Sequence, residues 1–396
     1  MKRVLFTIIA LLCIGSITAQ SEIPHAVKMI KGNKVRRTEI ILPQVNGYNC
    51  YKGDFHIHTS YSDGKVNPSG RVTEAWYDGL DIIAITDHYE NRSGEKKFLK
   101  VIAPYNEDGQ PMKYLSVKAA NGVKADFNAI HQEAVMLLEK SKYPMLLIKG
   151  CEMGRNAKTH GHYNCLFLKD PNILYDNDLR VAFRRVHEQG GIVIHNHPAW
   201  RRDTSDKTEF HEEVYKEGLI DGVEVVNGST FYPHMVRRCI DEKLTMFGNT
   251  DIHSYSTYTR MATPIHRTMT LVFAKELTEE SVKEALLKHR TLAHVNGILV
   301  GEEKLLGDFL NAAVDCRIVS ENKEKGIRTY RLTNNTSFAY SLRLGKKVII
   351  LEPFKPTHVN IGKDKKSGKY LTSKFKVESM YHVDYQHPII EIELDK

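Results

Sequence analysis

Between Asn49 and Val295, short β-rich runs alternate with longer runs of helical periodicity, and this alternation constrains the fold more than any other feature of the chain. Phe55 to Thr59, Asp81 to Thr86, Met145 to Gly150, Tyr163 to Leu168, Gly191 to Ile194, Gly222 to Val226 and Thr245 to Gly248 read as strands. Helical patterns cover Pro68 to Asp78, Asp126 to Lys140, Asn177 to Gln189, Pro233 to Glu242 and Glu279 to His289. Asn67 before Pro68, and Thr278 before Glu279, supply N-caps for two of them. Alternation of this kind predicts parallel strands covered by helices, as a barrel or a doubly wound sheet. Asn91 to Lys124 is polar and rich in Lys and Gly, and reads as an insertion near a strand end.

Beyond Asn296 the pattern changes. Ala312 to Ser320, Ile327 to Asn334, Tyr340 to Gly345, Lys347 to Leu351 and Ile389 to Leu394 read as strands with turns between them, and no long helix interrupts them. The expected organisation is an α/β unit over 49–295 followed by a small antiparallel β domain over 296–396.

The first residues carry a different signal. Lys2 and Arg3 precede an apolar run from Val4 to Gly15, and Ile17-Thr18-Ala19 offers a cleavage site, so 1–19 reads as a signal peptide and 20–48 as an N-terminal extension. The apolar run is short of the roughly 20 residues that span a bilayer, so export with cleavage, to the periplasm or beyond the cell, is expected rather than a membrane anchor. The remaining cysteines, Cys50, Cys151, Cys165, Cys239 and Cys316, are odd in number and form no CxxC pair, which argues against a disulfide framework. The formal net charge of +8 drops by two once Lys2 and Arg3 leave. It is spread along the chain, which suits an anionic substrate without demanding nucleic acid.

Imidazoles and carboxylates fall at the edges of the predicted strands. His56 and His58 lie two apart on the first, and so face one side of it. Asp63 follows in the loop. Asp87 and His88 follow the run IIAIT, Glu152 follows LLIKGC, and His160 and His162 precede YNCLFL. His195 and His197 end GIVIHNHP, and Asp251 and His253 follow MFGNT. Any one of these is more often a surface or core side chain than a ligand. In a parallel α/β fold, however, strand ends converge on one rim, and the whole set together describes a metal centre. Imidazole and carboxylate without thiolate suit Zn²⁺, Mn²⁺ or Fe²⁺. Strand alternation turns Cys151 away from its neighbour Glu152.

The segments DFHIHTSYSDG, ITDH, GCE, GHYN, NHP and NTDIH, taken in order, resemble the motifs of the PHP (polymerase and histidinol phosphatase) superfamily. The resemblance implies a distorted (β/α)7 barrel holding two to three divalent metal ions, and a secreted phosphodiesterase-like member with a trailing β domain. It implies that His56, His58, Glu152 and Asp251 hold a first ion. Glu152 would bridge to a second, completed by His162 and His197, and Asp63, His88 and His253 would hold a third. The resemblance favours His162 over His160, because the family's ligand adjoins the strand, and His197 over His195, because the family's ligand directly precedes the proline. Asp54 and Asp87 are expected to orient an imidazole rather than touch metal.

The function expected is an exported phosphoric ester hydrolase acting on a phosphodiester or phosphomonoester of a small organic molecule. A hydroxide bridging two ions would attack phosphorus in line, with Glu152, Asp251 and His253 at the reacting centre. Arg155, Arg201, Arg260 and Arg267 are candidate phosphate clamps, as is Arg202, and Tyr89 and Trp200 are candidates to pack the organic part. Alternatives are a carboxylic ester or amide hydrolase on the same centre, and a non-catalytic periplasmic binding protein. A small phosphate ester is the expected partner, with no dedicated nucleic-acid module and no membrane span in the mature chain. Oligomeric state is not legible.

Overall fold

The computed structural model describes residues 37–90, 126–256, 266–363 and 374–393. The expected signal peptide and the insertion from Asn91 to Lys124 lie outside the described residues. β1 (Asn49–Ile57), β2 (Ile82–Ile85) and the first part of β3 (Leu146–Gly154) run parallel, as expected. β4 (His162–Leu166) then runs antiparallel to both β3 and β5 (Ile192–Asn196). The reason is local: only the Arg155 to Gly161 loop joins β3 to β4, and a parallel crossover needs a dozen residues or more. Parallel pairing resumes from β5 to β6 (Gly222–Asn227) and from β6 to β8 (Thr245–Asn249), past the short β7 (Thr230–Phe231).

The sheet closes where the chain leaving β8 returns to β1. Ile57 bridges Ile252, and the His58 N–H donates to the Ile252 carbonyl at 3.2 Å. Two strands absent from the sequence expectation, β9 (Met269–Ala274) and β10 (Thr291–Val295), extend the sheet, with β9 antiparallel to both β1 and β10. The result is a 12-stranded curled sheet, a distorted α/β barrel rather than a regular one.

Helices cover its outer face: α1 (Pro68–Tyr77), α2 (Phe127–Ser141), α3 (Leu179–Glu188), α4 (Glu209–Lys216), α5 (Pro233–Asp241) and α6 (Glu279–Leu287). The expected caps form: the Asn67 side chain accepts from the Gly70 N–H, and Thr278 from the Ser281 N–H. α3 buries Leu179, Ala182, Phe183 and Val186, a spacing that puts one apolar stripe on the sheet. Helix α4 was not anticipated; Thr208 and His211 form a reciprocal capping pair in which His211 stands where glutamate is usual.

The trailing segment differs from expectation in a helix and in several added strands. Strand β11 (Ile298–Val300) is followed by an eleven-residue helix, α7 (Glu303–Ala313), where no long helix was expected. Leu306, Phe309, Leu310 and Ala313 recur at helical spacing and are buried, but the interior Gly307 weakens the helical signal. Two small antiparallel sheets follow. One has the order β12 (Val314–Asn322), β13 (Ile327–Asn334), β16 (Pro356–Gly362), and the other the order β15 (Lys347–Leu351), β14 (Tyr340–Leu344), β17 (Lys374–Val377), β19 (Ile389–Glu391). One late strand, β18 (Met380–Tyr381), leaves them to pair with β11, which stitches the β region to the barrel sheet.

Candidate metal centre

Strand ends deliver the ligand-type side chains to one rim. In β1 the intervening Ile57 points into the apolar core while His56 and, just past the strand, His58 point inward. Their Nε2 atoms lie 3.0 Å apart, with Asp251 Oδ1 at 3.3 and 3.0 Å and Glu152 Oε2 at 3.5 and 3.3 Å respectively. Cys151 faces the outer core, as strand alternation requires. Glu152 Oε1 turns the other way, 3.3 Å from His162 Nδ1 and 3.5 Å from His197 Nε2. A third group forms around Asp63: His253 Nε2 lies 3.2 Å from Oδ1 and His88 Nε2 3.5 Å from Oδ2.

Hydrogen bonds at the far ring nitrogens decide which nitrogen is left for a cation. His56 Nδ1 faces Glu224 Oε1 at 2.8 Å, so Nδ1 carries a proton and Nε2 is the nitrogen turned to the cluster. His88 lies with Nδ1 2.8 Å from Glu152 Oε2, an ionic contact, and with Nε2 turned to the Asp63 group. His58 Nδ1 looks toward Ser62 Oγ at 3.4 Å and Asp63 at 3.6 Å. His58 therefore stands beside the Asp63 group without giving it the nitrogen that faces Asp251.

Two oxygens show that the arrangement fits a cation. Glu152 Oε2 and Asp251 Oδ1 are buried and make no hydrogen bond of good geometry, yet both look onto several imidazole nitrogens. Packing lone pairs around buried carboxylate oxygens is costly without a cation between them, and the donor set suits a divalent ion. The charges respond accordingly. Burial opposes protonation of His56, but Asp251, Glu224 and Glu152 outweigh it and raise its pKa well above the ordinary histidine value. His88 is raised likewise, against burial, by Glu152 and Asp63. Burial would raise the Glu152 carboxyl, yet His88 and His56 hold it well below the usual carboxylate range.

Backbone geometry supports the same site. Asp251 (φ 53°) and His197 (φ 26°) are non-glycine residues in the left-handed region, a strain that concentrates at functional positions. A Cβ on Gly64 would sit 2.6 Å from the His58 carbonyl, so the loop carrying Asp63 can close on His58 only with glycine there.

Of the paired histidines, His162 and His197 join the cluster. His160 bonds Thr159 and packs on Phe210, and His195 Nδ1 meets the Tyr215 hydroxyl at 2.7 Å, so neither ring joins the cluster. Asp54 and Asp87 do not orient an imidazole directly. Asp54 binds the Thr250 N–H and hydroxyl and pairs with Arg267, whereas Asp87 accepts from Thr59 and Ser62 and so folds the loop that backs His58.

A cavity of about 610 Å³ opens over the cluster and is lined in part by Glu90, Arg155, Trp200 and Arg201. Arg155 pairs with Glu90, and the Arg201 guanidinium lies 4.3 Å over the Trp200 ring. Arg267 is not a clamp: its guanidinium is buried between Asp54 and Asp78, away from the cavity. Arg202 donates to the Asp206 carbonyl outside that cavity. Tyr89 is buried with its hydroxyl on the Pro171 and Asn172 carbonyls, so it packs the fold and not a ligand. Arg260 lies outside the described residues.

Three residues of the site were missed in the sequence. Glu224, in the middle of β6, carries the hydrogen bond to His56; a glutamate inside the apolar run GVEVVN was the signal. Asn196 donates to Glu152 Oε1 at 2.9 Å. Arg71, fully buried on α1, gives its N–H groups to the carbonyls of His58, Ile252, His253 and Ser254, binding the β1 end to the Asp251 loop. Nothing in the local sequence around Arg71 marks it, because its partners lie far along the chain.

Residues 54–252 match the model of the PHP domain. The crystal structure of a two-domain protein containing a predicted PHP-like metal-dependent phosphoesterase from Bacteroides vulgatus is 33% identical, covers 91% of this chain and 99% of its own, and superposes with a TM-score of 0.76. PsfC from Pseudomonas syringae is 14% identical over 61% of this chain and 90% of its own, with a TM-score of 0.38. The lesion-specific endonuclease EndoQ from Pyrococcus furiosus is 17% identical over 64% of this chain and 59% of its own, with a TM-score of 0.35. Neither of these distant likenesses bears on function. Comparison with curated proteins gave no match. The chain belongs to the PHP family, with the fold of a PHP-like metal-dependent phosphoesterase.

Proposed function

With membership of the PHP family as the premise, we propose that this chain is an exported, metal-dependent hydrolase of phosphate esters of small organic molecules, mono- or diesters. The observation that carries the reading is Glu152. Its two carboxylate oxygens face two different sets of imidazoles at the floor of an open cavity. Two to three divalent ions, Zn²⁺, Mn²⁺ or Fe²⁺, would supply Lewis acidity and activate water for in-line attack on phosphorus.

His56, His58, Glu152 and Asp251 hold one ion in this reading; Glu152, His162 and His197 a second; and Asp63, His88 and His253 a third. Glu224 keeps the His56 Nε2 lone pair aimed inward, and Asn196 fixes the Glu152 carboxylate. His253 is the most exposed imidazole of the cluster, at 37% for its side chain, and would hold the third ion on the open side, where that ion offsets the charge of a leaving alkoxide. On the rim, Arg155 and Arg201 meet the non-bridging oxygens, and Trp200 borders the organic part. Export rests on the leader-like first residues.

The test is turnover by the full chain, freed of its leader, of p-nitrophenyl phosphate, bis-p-nitrophenyl phosphate, p-nitrophenyl acetate and an anilide. Each is assayed after chelation and again after return of Zn²⁺, Mn²⁺ or Fe²⁺. Phosphate-ester cleavage abolished by chelation and restored by metal is expected. Cleavage of the acetate or anilide alone, or tight binding of phosphate esters without turnover, contradicts the proposal.

A further inference from the structure

We propose that Glu224 is a positioning residue that fixes the tautomer of His56 and ties together the two metal positions sharing Glu152. The inference rests on the metal-centre reading above. Glu224 is fully buried in β6, between core residues Val223 and Val225, where an uncompensated carboxylate is not tolerated. It is compensated by four donors. Oε1 accepts from His56 Nδ1 at 2.8 Å and Asn249 Nδ2 at 3.0 Å, and Oε2 from the His197 N–H and Asn227 Nδ2, both at 2.8 Å.

The partners show the division of labour. One oxygen orients His56, whose Nε2 faces Glu152 Oε2 and Asp251. The other holds the backbone of His197 at its left-handed φ of 26°, and the His197 ring faces Glu152 Oε1. Asn227 also lies 3.5 Å from Asp251 Oδ2, so the same network reaches a third cluster residue. Asn249, which bonds Glu224, in turn accepts the Phe55 N–H and so fixes β1 immediately before His56. A carboxylate that only filled space in β6 would need none of these four donors to come from the cluster strands. Outer groups of this kind tune a metal site by holding its ligands in orientation and tautomer.

Glu224→Gln keeps the shape but sets an amide N–H₂ against at least one donor. In the full chain, competition with a chromophoric chelator should show Zn²⁺ affinity at the two positions flanking Glu152 falling together, by about 10- to 100-fold. Wild-type affinity and stoichiometry in a folded variant overturns the proposal. Should Glu224→Gln not fold, ¹⁵N NMR of Zn²⁺-loaded wild-type protein decides: His56 must be bound through Nε2 and protonated at Nδ1, and a metal-bound or unprotonated Nδ1 overturns it. Wild-type protein that takes up no Zn²⁺ removes the metal-centre reading itself, whereas uptake with an unaffected variant removes only the role of Glu224.

Discussion

Glu152 and His88 meet through one carboxylate oxygen: Oε2 lies 2.8 Å from His88 Nδ1, which leaves His88 Nε2 turned to Asp63 at 3.5 Å. Glu152 thereby touches all three ligand groups, two through its own oxygens and the third through its contact with the His88 ring.

Loss of Glu152 is therefore expected to cost more than loss of any single histidine. Glu152→Ala should lose at least about 100-fold in kcat/KM on phosphate esters and bind about two fewer ions, whereas His162→Ala should lose about one. Elemental analysis beside steady-state kinetics checks this. Equal ion loss in both variants would contradict the shared role.

The cluster's charges predict opposite pH trends with and without metal. Burial opposes the protonated forms of His56, His88 and His253, but the carboxylates facing them raise all three pKa values. In the metal-free protein their stabilisation is full below the unfolded value of about 6.5 and is lost as pH rises through the raised folded values. Cations compete with those same protons. Thermal melts from pH 6 to pH 9 should show the metal-free Tm falling and the gain on adding metal growing. A gain independent of pH would contradict this.

Arg71 should matter without touching substrate. Arg71→Lys replaces a planar five-donor fork by one ammonium and strands several buried carbonyls of the Asp251 loop. A stability loss of about 2–4 kcal/mol in denaturant unfolding is expected, with weaker metal binding and unchanged KM in metal-saturated enzyme. Wild-type stability would contradict the stitching role.

The rim arginine Arg201 should separate from the buried Arg267. Arg201→Ala should raise KM severalfold with stability kept, since Arg201 lies on the cavity wall over Trp200. Arg267→Ala should instead destabilise by about 3–5 kcal/mol, because it leaves Asp54 and Asp78 buried without their cation. Kinetics paired with unfolding curves distinguish the two, and a KM effect without stability loss for Arg267→Ala would reverse its assignment.

Much of this was legible in the sequence because the signals are local. His56 and His58 share a strand face by spacing alone, His197 is singled out by its proline once the family resemblance is seen, and the caps at Asn67 and Thr278 announce their helices. What was not legible depends on register and tertiary pairing. The antiparallel β4 follows from the shortness of the Arg155–Gly161 connection, a length the strand and helix pattern does not register. Arg267 looks like a clamp because it follows a ligand motif, yet the approach to β9 sets it between Asp54 and Asp78. Glu224 sits amid valines, and only the fold shows that its strand lies beside His56.

Anomalous diffraction from crystals grown with Mn²⁺ tests the central claim most directly. Two peaks about 3.5–4 Å apart, one on each side of the Glu152 carboxylate, are predicted, with any third beside Asp63, His88 and His253. A single peak not shared by Glu152, or none in the cluster, would contradict the account.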